Sequence, residues 1–251
     1  ARRRAEELRR ELSPPRSLPR DATRRARSIV GAARCFVENR RRARAGREDL
    51  LPLSFIWTTH RCCNFRCSYC DDHRGRRYPD LPLDGALDTE QGKRLLAVMR
   101  TRATSVYIAG GEPTLRKDLV PFLATLVREG FIVKLETNGI RLVDESYCRE
   151  LKEAGLEWVY LQWDSMREPT LEKLRARPMS GVRRRALENC IRFGFKVLLA
   201  CMIEKDENDD EIGELLEFAR KTPQVFTISL LPSSRQGRNE LTDEPAKIGV
   251  V

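Results

Sequence analysis

Four of the eight cysteines fall within the nine residues from Cys62 to Cys70. Three of them, Cys63, Cys67 and Cys70, have the spacing C-x3-C-x2-C. Three thiolates in one short loop suit a soft metal. A structural zinc site would want a fourth protein ligand, and His60 and His73 are the two histidines available to complete one. An iron–sulfur cluster of the [4Fe–4S] type fits the same thiols, because each thiolate holds an iron. Three ligands would then leave one iron open. Buried, reduced cysteine is the remaining option. Cys62 stands outside the pattern, since four residues separate it from Cys67. Cys148, Cys190 and Cys201 stand singly and read as small core residues.

Two further constellations have chemical potential. In Ala109-Gly110-Gly111-Glu112-Pro113-Thr114 the glycines let a ligand approach the backbone closely. The Glu112 carboxylate beside them can take an ammonium. The plainer alternative is a strand-to-helix turn. In Glu136-Thr137-Asn138-Gly139, Asn-Gly is a common turn pair. Later in the chain, Gln162 and Asp164 share one strand face by the period of two, although a strand-end Asp can equally cap the next helix. The polar stretch from Asp71 to Arg77 makes His73 a second candidate for contact with a substrate.

These residues need elements to position them. From residue 50 onward, strand-like runs occur at Leu53–Thr58, Ser105–Ala109, Phe131–Glu136, Trp158–Trp163, Lys196–Ile203 and Val225–Leu231. Helix-like runs separate them at Thr89–Arg100, Lys117–Glu129, Asp144–Ala154, Pro169–Phe193 in one or two pieces, and Asp209–Lys221. Gly130 and Gly155 stop two of these helices. Strands alternating with helices imply right-handed βαβ units and a parallel sheet. The cysteine loop, the glycine–glutamate turn and the Thr-Asn-Gly turn then follow strands one, two and three. They sit at the C-terminal ends, the face where α/β barrels build their sites.

In that order, the C-x3-C-x2-C loop, the Gly-Gly-Glu-Pro turn and the Thr-Asn-Gly turn resemble the radical S-adenosylmethionine (SAM) superfamily over residues 52–235. The resemblance implies an α/β fold, a partial (β/α)6 TIM-like barrel. It implies a [4Fe–4S] cluster on Cys63, Cys67 and Cys70, whose open iron binds the amino and carboxylate groups of SAM. It further implies reductive cleavage of SAM to a 5′-deoxyadenosyl radical that abstracts hydrogen from a substrate, with an electron donor such as flavodoxin or ferredoxin. Tyr69 matches the aromatic position near the adenine, and Gly110, Gly111 and Glu112 match the turn that binds the amino group. Thr137, Asn138 and Gln162 join the implied cofactor surface, and Asp164 sits where several members carry an Asp. Asn208 and Asp209 followed by Glu211 resemble the helix start after strand five, and Leu231–Ser234 with Gly237 and Arg238 resemble the end of strand six. There is no second cysteine cluster after the barrel, unlike many peptide-modifying members.

The chain has 251 residues, 41% apolar and 33% charged, enough for a large core and unlike a disordered chain. Its net charge of +10 is unevenly placed. Residues 1–50 carry 16 Arg and 7 acidic residues, a net of +9, so the rest is nearly neutral. A nucleic-acid-binding body would spread its excess, and no nucleic acid partner is expected. The division is therefore a basic helical arm at 1–50, a core barrel at 51–235 and a short polar tail at 236–251 that reads as truncated. Within the arm, Ala22, Ala26, Ile29, Val30, Ala33, Phe36 and Val37 recur at steps of three and four. An apolar stripe with arginines off it suits an anionic membrane surface, contacted through residues 21–44. The alternative is that the stripe packs on the barrel.

No apolar run is long enough to span a membrane, and no secretory signal is visible. Clustered cysteines in that setting point to a reducing, cytoplasmic location, peripheral to the inner face of the membrane if the arm docks there. A lipid or membrane-resident substrate is the favoured reading, with a peptide- or protein-modifying maturase as the alternative. A zinc module with an RNA-contacting arm is a third, weaker one.

Overall fold

The structure, a computed structural model, describes residues 22–60, 62–70, 89–99 and 104–233. His73, the rest of the polar stretch after the cysteine loop, and the tail from 236 lie outside the described residues.

Six strands form one sheet: β1 (Ser54–Thr58), β2 (Ser105–Ala109), β3 (Ile132–Thr137), β4 (Trp158–Gln162), β5 (Lys196–Ile203) and β6 (Val225–Pro232). All neighbours are parallel, in the order β1-β2-β3-β4-β5-β6. Among the described residues, no ladder joins β6 back to β1. The helices are α1 (Ala22–Arg44), α2 (Thr89–Met99), α3 (Leu119–Arg128), α4 (Glu145–Glu153), α5 (Glu168–Arg175), α6 (Ser180–Arg192) and α7 (Ile212–Lys221). The stretch expected as one or two helices after β4 is two, because Ala176 at φ 59° ends α5 in a left-handed turn. Asp144 caps α4, its carboxylate accepting from the Ser146 amide at 2.8 Å.

One core explains the layering. Val133 and Leu135 of β3, Val159 and Leu161 of β4, and Val197 and Leu199 of β5 point to one side of the sheet. There they pack with Leu123 of α3, Leu151 of α4, Cys190 of α6 and Leu215 of α7. Every strand residue in this set is an alternate one, as the pleat requires. The helices thus share one face, which makes an open (β/α)6 barrel rather than a doubly wound sheet. Cys148, Cys190 and Cys201 are fully buried within that core.

The N-terminal helix departs from expectation in two ways. It runs unbroken to Arg44 and takes in the arginine run. The described part of its apolar stripe does not pack on the barrel: Val30, Phe36 and Val37 remain 46%, 56% and 49% exposed. The helix docks by another side. Asn39 exchanges two hydrogen bonds with the backbone of Leu51, at 2.7 and 2.8 Å. Gly31 sits so close to Thr104 that a Cβ on it would lie 2.9 Å from the threonine methyl. Small and polar residues fit this contact, which leaves the bulky apolar ones outside. Among the described residues, no helix is long and apolar enough to cross a membrane.

Candidate active site

The C-terminal ends of β1, β2 and β3 are laced together by backbone. The Gly111 amide donates to the His60 carbonyl at 2.9 Å, and the Glu112 amide donates to the Cys62 carbonyl at 2.8 Å. Gly110 makes this possible: at φ 127° a Cβ would fall 2.3 Å from the His60 oxygen. The start of the cysteine loop is thereby held on the glycine–glutamate turn.

Glu112 ties that turn to the next. It is 1% exposed. Its Oε1 accepts from the Thr114 hydroxyl at 2.5 Å, the Thr114 amide at 3.1 Å and the Thr137 hydroxyl at 2.7 Å. Among the described residues, its Oε2 accepts only the Asn138 amide, at 2.8 Å. Burial pushes this carboxyl up, against the hydrogen bonds that pull it down. A carboxylate offers about four acceptor positions, so Oε2 keeps one for a further donor. Asn138 closes the ring, its side-chain amide donating to Asn64 in the cysteine loop at 2.8 Å.

The three motif cysteines lie together. Cys67 is buried in a small apolar cluster with Phe65, Tyr69, Leu171 and Leu174, and Cys63 and Cys70 pack against it. Burial pushes the Cys63 thiol up to about 12, and Cys67 and Cys70 are both close enough to add to that. Among the described residues, no three Cys, His, Asp or Glu side chains close around a single-ion site. A cluster takes its thiolates on different irons and needs no such closure. An apolar surround with three convergent soft donors therefore fits a [4Fe–4S] cluster. His60 is buried, and burial, helped by the Arg116 charge, pushes its pKa down.

On the far side of the loop stands a buried charge pair that no spacing suggested. The Tyr69 hydroxyl donates to Asp164 Oδ2 at 2.8 Å. Arg175, 3% exposed, donates to the same oxygen from Nε at 2.5 Å and to the Gln162 carbonyl oxygen. It also lies 3.5 Å from the Cys67 sulfur and over the Tyr69 ring. Burial works against the Arg175 charge, but Asp164, Tyr69 and Cys67 outweigh it and raise its pKa. Gln162 and Asp164 do share a face, and Arg175 is what they share. The Asp164 carboxylate also accepts the Met202 amide at 3.0 Å, and its backbone carbonyl accepts from Asn208 at 2.7 Å. Glu211 accepts from the Ser165 hydroxyl at 2.6 Å and the Met166 amide at 2.7 Å, which fixes the turn after β4.

The structure thus brings Tyr69, Gly110, Gly111, Glu112, Thr137, Asn138, Gln162 and Asp164 around the three cysteines at one end of a parallel barrel. A family model for the radical SAM superfamily matches residues 57–219. The chain belongs to that superfamily of enzymes. It is 34% identical over 196 residues to a 7,8-dihydro-6-hydroxymethylpterin dimethyltransferase of Methanocaldococcus jannaschii, covering 74% of this chain and 37% of that one. It is 36% identical over 195 residues to an Fe-coproporphyrin III synthase of Methanosarcina barkeri, covering 75% of this chain and 46% of that one. The chain therefore spans less than half the length of either relative. Streptococcus suis SuiB bound to S-adenosylmethionine superposes with a TM-score of 0.58 at 20% identity, over 73% of this chain and 41% of that one. That likeness is one of fold. The family implies an iron–sulfur cluster and SAM.

Proposed function

We propose that this chain carries the catalytic core of a radical SAM enzyme. The observation behind the reading is the gathering of Cys63, Cys67 and Cys70 in one apolar pocket, tied to both cofactor turns at the strand ends. When bound, the cluster would supply the electron for reductive cleavage of SAM, chemistry that removes a hydrogen atom from a substrate. An external donor such as flavodoxin or ferredoxin supplies the reductant. Cys63, Cys67 and Cys70 hold the cluster. Glu112 Oε2 would take the ammonium of SAM, the turn before it closing on His60 because Gly110 has no side chain, and Thr137 and Asn138 fix the carboxylate that would receive it. Tyr69 and Gln162, pinned through Asp164 and Arg175, wall the cofactor.

The test is anaerobic. The purified chain should contain iron and sulfide, and with dithionite and SAM it should release 5′-deoxyadenosine and methionine. Alanine at Cys63, Cys67 or Cys70 should remove both properties, and Cys62→Ala should remove neither. Loss with Cys62→Ala and retention with Cys63→Ala would reverse the ligand register.

For the substrate, the exposed stripe of Val30, Phe36 and Val37, beside Arg40, Arg41 and Arg44, supports a lipid or other membrane-resident molecule. Each basic residue near an anionic surface contributes about 1 kcal/mol, screened by salt. The chain should float with anionic liposomes, and flotation should fall with salt and with neutral lipid. Val30→Asp with Phe36→Asp should abolish it. If the unmodified chain does not float, a peptide or protein substrate takes precedence.

A further inference from the structure

The sheet face turned away from the helices is lined by residues that neither cofactor reading uses. Tyr107, Lys134 and Trp158 face one another across adjacent strands in register. The Lys134 ammonium donates to the Tyr107 hydroxyl at 2.7 Å and lies 4.3 Å from that ring and 5.7 Å from the Trp158 ring. Phe226 meets Trp158 edge-on at 6.0 Å. Two residues further along β3, Glu136 pairs in register with Tyr160, which in turn contacts Ser229 and feels Glu136 and Tyr107. Glu136 itself is half-buried and directly precedes the Thr-Asn-Gly turn.

Glu136 is the odd member of this lining. Among the described residues, no hydrogen-bond donor and no cation lies within bonding distance of its carboxylate. Lys134 is on the same face but is committed to Tyr107. The carboxylate keeps some contact with solvent, and a half-buried carboxylate without a partner beside the cofactor turns is where a ligand is to be sought. Burial alone pushes its pKa up, with nothing opposing it.

We propose that Glu136 anchors the substrate by accepting hydrogen bonds from a cationic nitrogen group, an ammonium or amidinium, carried on a part of the molecule that packs against Tyr107, Trp158, Tyr160 and Phe226. Lys134 and Lys196 already lie over the Tyr107 and Trp158 rings, so the aromatic wall offers the ligand apolar contact and leaves Glu136 to take its charge. The position is one residue from Thr137, so an anchored substrate lies beside the cofactor surface. This rests on the proposed radical SAM function, in which the substrate lies beside the cofactor. It deepens that reading by naming the chemistry selected there.

Benzamidine carries an amidinium on a flat ring, and benzamide is its neutral counterpart. Calorimetry on the full chain should show benzamidine binding about ten- to a hundred-fold more tightly than benzamide, the margin of one charge-assisted hydrogen bond. Glu136→Gln should remove that preference and leave the melting temperature unchanged or raised, because the carboxylate holds no hydrogen bond among the described residues. Lys134→Met, which touches the same face without removing the acceptor, should retain the preference. Absence of benzamidine binding, equal binding of the two probes, an unchanged preference in Glu136→Gln, or a marked drop in its melting temperature would each overturn the proposal. The last would mean that Glu136 is a structural partner. The binding measurement needs no turnover. SAM cleavage with no amidine preference removes the subsite alone, and amidine preference without SAM cleavage removes the radical reading alone.

Discussion

Glu112 is a joint between two turns as well as a candidate ligand, and its substitution should register both roles. In Glu112→Gln, the oxygen can keep the three donors at Oε1, but the amide nitrogen then faces the Asn138 N–H. A buried donor left without an acceptor costs about 1–3 kcal/mol. Urea unfolding should show that loss, together with weaker SAM binding. Gly110→Ala should be worse, because backbone cannot step away from a Cβ placed 2.3 Å from the His60 oxygen. Little soluble protein is expected. Gly213→Ala, with nothing within 4 Å, should be neutral or stabilise by about 0.4–1 kcal/mol. Arg175→Met strands Asp164 as an unpaired buried anion and should cost about 3–5 kcal/mol. Adding Asp164→Asn should recover part of it, and a double-mutant cycle reads the coupling.

Among the elements, α1 is the one whose orientation could not be read from its periodicity. An apolar stripe normally marks the packed side, yet here Gly31 and Asn39 make the contact and Phe36 does not. Periodicity finds a helix and its faces, but not which face meets the neighbour. Val30→Asp with Phe36→Asp should therefore change stability by no more than about 0.5 kcal/mol, as exposed positions do. Asn39→Ala should loosen the helix and speed proteolysis between α1 and β1. The strands were legible to within about a residue, because their apolar runs and bounding glycines are local signals. The cysteine loop and both turns were legible for the same reason. Arg175 was not. Nothing in Leu174-Arg175-Ala176-Arg177 separates an inward arginine from a solvated one. The left-handed turn at Ala176 and the non-local partner Asp164 decide it.

For the molecule as a whole, the cysteine loop bridges the end of β1 to the end of α5, with the Ser68 amide donating to the Leu174 carbonyl at 2.9 Å. A cluster bound there ties distant parts of the chain together, and binding to the folded form alone stabilises it. Calorimetry under anaerobic conditions should show the reconstituted chain melting above the same chain stripped of iron by a chelator. Equal melting temperatures would mean that the loop is fixed without metal.

Among the described residues, the sheet stops at β1 on one side and β6 on the other, leaving two rows of peptide groups with no strand beyond them. Such rows are templates for a second chain, and native proteins blunt them with short strands and proline. β1 has only five residues and is preceded by Pro52, and β6 closes on Pro232, which has no N–H to offer. Ile56 and Phe226, exposed by 71% and 59%, lie in those same strands. The unfinished barrel is thus also the molecule's weak point in solution. Association of one copy with another should begin edge to edge at this seam, and a lysine at Ile56 should delay turbidity on warming without lowering the melting temperature.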